Sequence, residues 1–211
     1  PERVGWAVAG LAPDLIVKKL PGKSLSLRHF PIIKRLAEGS DALVLGPGMG
    51  SSCGARMLAQ RLAYSFPELP KVVDADAIAA LDLRRVRSAV FTPHRREFDA
   101  LLKANSLSMS GLRAAINDNV VLLKGRVDTV FSKGKLMYNK TGNPGMTVGG
   151  TGDLLAGLCA GFVSQGLSLF DAACCAAFIC GSVGDSLKAE LGHNFISSDF
   201  LRRLALLIRN I

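Results

Sequence analysis

From about residue 30 onward the chain alternates short apolar runs with longer stretches of helical period. "PIIKRLAE", residues 31 to 38, predicts a short helix with Pro31 in its first turn. "DALVLGPGMG", starting at Asp41, reads as a buried strand ending in glycines, and "SSCGARMLAQRLAYSF" as a helix through Phe66 that Ser51 or Ser52 can cap. The rhythm repeats in "KVVDADAIAAL", a strand running into acids and a helix, and in "SAVFTPHRREFDALL", a strand, a Thr-Pro break and another helix. Strands that alternate with helices need crossover connections, so a parallel sheet is expected.

"NVVLLKGRVDTVFSKGKLMYNK" departs from this rhythm. Two strands around "GRVD" and a third after "SKGK" predict hairpins, an antiparallel edge on the parallel sheet. Three helical stretches close the chain: residues 152 to 165, residues 168 to 190, and "SSDFLRRLALLIRNI" with Ser197 or Ser198 as its cap. Near the start only "DLIVKKL", residues 14 to 20, is patterned, as a short strand. With no repeat, low-complexity tract or linker, residues 1–211 are expected to form a single domain of α/β class.

Composition narrows the function classes. At 49% hydrophobic and 20% charged residues the chain is globular rather than disordered. The longest uncharged apolar run, Leu154 to Phe170, is interrupted by glycines, two serines and a glutamine, and reads as a buried helix and turn rather than a membrane span. The opening residues carry no signal-peptide pattern, so a cytoplasmic location is expected. The five cysteines show no CxxC spacing, and four of them lie in apolar helical context, as small buried thiols do. The net charge of +9 suits an anionic ligand; with 6% aromatics and no long basic run, nucleic acid is not the expected partner.

"NPGMTVGGTGDLLAG" is the densest candidate for chemistry. Its glycines let backbone N–H groups converge, and the helix that follows adds the positive end of its dipole, a combination that holds phosphate. Asp153 beside such a pocket can take a proton from an attacking hydroxyl, or it can merely complement the helix dipole while Thr151 caps. Neither a P-loop nor a dinucleotide fingerprint fits the spacing. "LGPGMG", "DADAI" with Asp74 and Asp76, "TPHRREF" with His94 and Glu97, and "LLKGRVD" with Lys124 all end strands, the edge where α/β proteins bind ligands. Asp74 and Asp76 can hold Mg²⁺ through water, bind hydroxyls or cap a helix.

These segments, in this order, resemble the ribokinase-like superfamily and, within it, the ADP/ATP-dependent NAD(P)H-hydrate dehydratases. The match runs from about Asp14 onward, and "GNPGMTVGGTGD" is its most specific part. The resemblance implies a three-layer α/β/α fold with a mostly parallel sheet and an antiparallel edge. It also implies an earlier strand and helix that are not read ahead of "DLIVKKL". The implied activity is dehydration of hydrated NADH or NADPH (NADHX, NADPHX) with ADP or ATP and Mg²⁺, through phosphorylation of the added hydroxyl and loss of phosphate. Asp153 would be the base. Lys124, Gly125, Arg126, Val127, Asp128, Gly149, Gly150, Thr151 and Gly152 would line the nucleotide; Gly48, Gly50, His94, Asn143 and Asp153 would meet the hydrate. Metal ligands stay unassigned, and a homo-oligomer, up to a tetramer, is implied. Two other readings stay open: a small-molecule kinase with the same base, and a nucleotide-binding module without catalysis.

Overall fold

The computed structural model describes residues 1–209. Six strands form one sheet in the order β1 (Leu43–Leu45), β2 (Lys71–Val73), β3 (Ala89–Phe91), β4 (Val120–Leu123), β5 (Asp128–Phe131) and β6 (Leu136–Asn139). The first four run parallel, and β5 and β6 add antiparallel hairpins, as the break in rhythm predicts.

The register explains why the parallel strands are apolar at every position but Lys71. Val44, Val72, Val90 and Val120 stand opposite one another in a single row, and Leu45, Val73, Phe91 and Val121 form the next. Because side chains alternate, the two rows face opposite sides. Leu45, Val73, Phe91 and Val121 pack with Leu58 and Leu62 of α3 (Cys53–Ser65), Ile78, and Phe98 and Leu101 of α4 (Arg95–Ala104). Val72, Val90 and Val120 pack with Leu155 and Cys159 of α6 (Thr151–Ser164) and Ala173, Ala176 and Cys180 of α7 (Leu169–Leu191). A parallel sheet covered on both faces favours near-continuous apolar strands. Val44, on the edge strand, is 44% exposed.

Several elements depart from the sequence reading. "DLIVKKL" forms no strand: Leu15 and Ile16 are exposed, and the segment has no ladder partner. It lies instead beside α1 (Glu2–Leu11), which carries no sequence signal of its own. The Lys19 ammonium sits 4.6 Å over the Trp6 ring, and Gly5 leaves room for the Lys19 stem. A second unanticipated helix, α5 (Met109–Ala115), starts at Ser108, whose hydroxyl accepts the Gly111 N–H at 3.1 Å. The helix after Asp74 is a 3₁₀ turn, Ala75–Ala80. The start of α8 (Ser197–Ile208) is held by Asp199, whose carboxylate accepts the Ile196 N–H at 2.9 Å, not by a serine. Two expectations near the ends of helices hold: α2 (Phe30–Ala37) has Pro31 in its first turn, and the Ser52 hydroxyl caps α3 through the Ala55 N–H.

By length and composition α7 would suffice to cross a membrane, yet half of its most apolar stretch is buried inside the protein, as in the core helix of a globular domain. All five cysteines are free; burial pushes the Cys159 and Cys180 thiols up to about 12 and leaves them inert.

Candidate active site

Parallel strands all present their carboxyl ends to one edge, so β1 to β4 deliver four loops there: "LGPGMG", "DADA", "TPH" and "KG". The N-terminus of α6 reaches the same place. A Cβ on Gly152 would lie 3.5 Å from Lys124 Nζ and 3.8 Å from Asp74 Oδ2, which puts the first turn of α6 directly over those two side chains.

Asp74 is 3% exposed, and its Oδ1 accepts from Thr92 Oγ1 and from Lys124 Nζ, each at 2.9 Å. A buried carboxylate needs such partners, because an unpaired charge in low dielectric is strongly disfavoured. Lys124 Nζ also lies 3.8 Å from Glu97 Oε2. Glu97 is in turn fixed by a capping box at the start of α4: its Oε2 accepts the His94 N–H at 2.8 Å, while its own N–H donates to His94 Nδ1 at 3.2 Å. With Nδ1 accepting, the neutral ring carries its proton on Nε2, 3.5 Å from Glu97 Oε1. The Lys124 ammonium is thus clamped between the end of β2 and the first turn of α4.

The glycine turns have distinct duties. Gly46 has φ +123°, and a Cβ there would fall 1.7 Å from the Asp74 carbonyl oxygen, so only glycine fits. Gly48 and Gly50 also have positive φ but border open space, where a ligand can approach the backbone. The Gly50 N–H donates to Asp76 Oδ2 at 2.8 Å, so Asp76 pins the loop while Asp74 holds the lysine. The sequence offers these two acids as equivalents; the structure gives them separate tasks.

Gly150, with φ +94°, turns the chain into α6. Leu154 N–H is the first to bond back into the helix, to the Gly150 carbonyl at 3.1 Å, which leaves the first-turn N–H groups of Thr151, Gly152 and Asp153 without helical partners. Thr151 Oγ1 lies 2.9 Å from the Met146 carbonyl and 3.0 Å from that of Val148, tying the glycine loop to the helix start. Asp153 is exposed and makes no hydrogen bond or ion pair among the described residues. It borders a groove of about 650 Å³ between α6 and α8, with Gly150, Ser197 and Ser198 at the same end and Phe162 and Leu204 further along.

Other anticipated site residues are engaged within the protein. Asp128 closes the turn that carries Arg126 and Val127: Gly125 N–H donates to its Oδ1 at 3.0 Å and Asn139 Nδ2 to its Oδ2 at 3.1 Å. Burial raises the Asp128 carboxyl above its ordinary range, against the opposing pull of those donors and of Lys124. Asn143 is bonded at both ends of its amide, Nδ2 to Asp185 Oδ1 and Oδ1 from the Gly145 N–H, each at 3.0 Å. Thr92, Glu97 as a partner of Lys124, and Asp185 are side chains that the sequence reading did not single out in these roles. Glu97 alone had a signal, its place three residues after His94.

A family model described as NAD(P)H-hydrate dehydratase matches residues 5–204. A bifunctional NAD(P)H-hydrate repair enzyme of Methanothermobacter thermautotrophicus is 38% identical over 95% of this chain and 41% of its own length. An ADP-dependent (S)-NAD(P)H-hydrate dehydratase of Natrialba magadii is 33% identical over 99% of this chain and 79% of its own. The solved structure of an ADP/ATP-dependent NAD(P)H-hydrate dehydratase from Bacillus subtilis, co-crystallized with ATP/Mg²⁺, superposes with a TM-score of 0.76 at 20% identity, covering 99% of this chain and 76% of that one, a likeness of fold. The chain spans about two fifths of the length of the bifunctional relatives it matches. It belongs to the NAD(P)H-hydrate dehydratase family.

Proposed function

We propose that this chain dehydrates hydrated NADH or NADPH at the expense of ADP or ATP, with Asp153 as the base. The observation that carries the reading is an unpartnered carboxylate on the first turn of α6, next to three free backbone N–H groups, on a helix start whose Gly152 lies over the clamped Lys124. Free N–H groups at a helix start favour the negative oxygens of a terminal phosphoryl group, and more so as charge builds during its transfer.

In this reading the hydrate hydroxyl gives its proton to Asp153 as its oxygen bonds to the terminal phosphorus and the nucleotide leaves. Phosphate then departs with the former hydroxyl oxygen, and the neighbouring ring carbon releases a proton to solvent as the nicotinamide ring recovers its double bond. The turn from Lys124 to Asp128 and the loop from Gly149 to Gly152 border the nucleotide; Gly48, Gly50, His94 and Asp153 face the hydrate. The loop that carries Asn143 lies alongside. Among the described residues no cluster of three or more His, Cys, Asp or Glu side chains could hold a metal ion. Mg²⁺ would be carried on the nucleotide phosphates, where it keeps several waters and needs only one or two carboxylates. The ADP-dependent relative supports a diphosphate as the donor.

The test is turnover of prepared NADHX and NADPHX with ADP and with ATP, followed by recovery of absorbance at 340 nm. Recovery that depends on a nucleotide is expected. A stable phosphorylated product without recovery would replace this reading with a kinase, and binding without turnover would replace it with a non-catalytic module.

A further inference from the structure

We infer that Asp185 of α7 is a positioning residue for the anion turn, acting through Asn143; the inference rests on the functional reading above. The segment from Asn139 to Met146, which leads into the glycine turn, is laid along one face of α7. Asn139 Nδ2 donates to the Ala177 carbonyl and Thr141 Oγ1 to the Phe178 carbonyl, each at 3.2 Å. Two turns on, Asp185 grips the chain with both oxygens: Oδ2 accepts the Gly142 N–H at 2.8 Å and Oδ1 accepts Asn143 Nδ2 at 3.0 Å. Asn143 passes the constraint forward by accepting the Gly145 N–H at 3.0 Å.

The packing leaves this segment little freedom. A Cβ on Gly181 would fall 2.1 Å from Thr141 Oγ1, and one on Gly184 would fall 2.4 Å from Met146 Sδ, so two glycines of α7 permit the close approach. From the other side, a Cβ on Gly145 would meet His193 and Phe195 at 2.8 Å. Met146, seated on Gly184, has its carbonyl 2.9 Å from Thr151 Oγ1 at the start of α6. A continuous path of contacts therefore runs from Asp185 through Asn143, Gly145 and Met146 to Thr151. Among the described residues Asp185 forms no ion pair, so its two acceptor bonds account for its placement.

The bonding pattern supplies its own test, because the amide and the carboxylate can exchange places. In D185N the new amide keeps the Gly142 bond but turns a donor toward the Asn143 amide. In N143D two carboxylates face each other. In the double variant N143D/D185N all three bonds are restored: the side-chain pair exchanges donor and acceptor, while the Gly142 and Gly145 N–H groups donate as before. For each protein, the affinity for ADP by calorimetry, the separate KM values for ADP and NADHX, and the melting temperature would be measured. Each single variant is expected to weaken ADP binding and raise its KM by about tenfold, with the melting temperature near wild type and, in D185N, the KM for NADHX unmoved, and the double variant to recover most of the loss. Backbone amide resonances of Gly149, Gly150 and Gly152, recorded without ligand, should shift in the single variants and return in the double.

Single variants with wild-type ADP affinity and unmoved glycine resonances would overturn the inference, as would a double variant no better than the worse single. If wild type bound no ADP and turned over no NADHX, the functional reading itself would fail. The amide resonances would still report whether Asp185 sets the loop.

Discussion

Lys124 Nζ donates to Asp74 Oδ1 at 2.9 Å, a pairing between strand ends 50 residues apart in the chain, with Gly152 stacked directly above it. The pair is the floor on which the start of α6 rests. It fixes an ammonium under the amides that would hold phosphate, and it neutralises a carboxylate that the fold has buried.

Breaking the pair from one side should therefore be more damaging than removing it. Lys124→Met leaves Asp74 buried with only the Thr92 hydroxyl, and loss of about 3 to 5 kcal/mol is expected by denaturant unfolding. Adding Asp74→Asn to that variant removes the stranded charge, so the double variant should be more stable than Lys124→Met alone. Additive losses would show that the two side chains do not depend on each other.

Asp153 should behave in the opposite manner. It is exposed and without a protein partner, so Asp153→Asn is expected to leave the melting temperature within about 2 °C of wild type, as surface changes do. As the base of the proposed reaction it should matter greatly: a fall in kcat of roughly 10²- to 10⁴-fold is expected, with ADP binding retained. Turnover and calorimetry on one preparation would check both halves. A variant that retained most of its activity would remove Asp153 from the chemistry.

Much of this arrangement was legible in the sequence because it depends on local pattern. Apolar runs such as "VLGPG" and "KVVDAD" mark strands covered on both faces, and a strand followed by glycines or acids marks the carboxyl edge where loops converge. What stayed hidden depends on distant partners. "DLIVKKL" has strand composition, yet Ile16 finds no neighbour to pair with and remains exposed. Asp74 and Asp76 look alike until the fold sends one beneath α6 and the other to the Gly50 N–H. Nothing near Asp185 announces that its carboxylate reaches a loop 42 residues earlier.

Lys71 gives a pH signature at the far end of β2, away from the site. It is fully buried, its ammonium donating to the Leu69 and Arg87 carbonyls at 2.7 and 2.8 Å. Burial lowers its pKa from 10.5 to about 8, only partly offset by Asp118 and Glu68. Because the folded value lies below the unfolded one, the charged form is penalised in the fold. Above about pH 10.5 the group is neutral in both states and the penalty vanishes; as pH falls toward 8 the unfolded chain takes up the proton first and stability is lost. Below 8 the full penalty, about 3 kcal/mol, stays. The stability advantage of Lys71→Met over wild type should therefore shrink by about that amount between pH 8 and 10.5 and be flat below. The two lost carbonyl bonds only offset the curve by a constant. A difference that did not change with pH would mean that Lys71 is not held against its charge.

The glycines after β1 separate stability from ligand approach. Gly46→Ala forces a Cβ onto the Asp74 carbonyl oxygen at 1.7 Å with φ at +123°, a clash that backbone must absorb. Because Asp74 also holds Lys124, the loss should reach both the fold and the site, with more than about 4 kcal/mol lost on unfolding. Gly48→Ala meets nothing within 4 Å and carries only the strain of φ +64°, about 1 to 2 kcal/mol. If the hydrate lies against this backbone, the added methyl stands where the ligand would be. Its KM should then rise by more than the small stability change could explain, while the KM for ADP stays put. Equal shifts in both KM values would place Gly48 away from the hydrate and leave the left-handed turn as its sole duty.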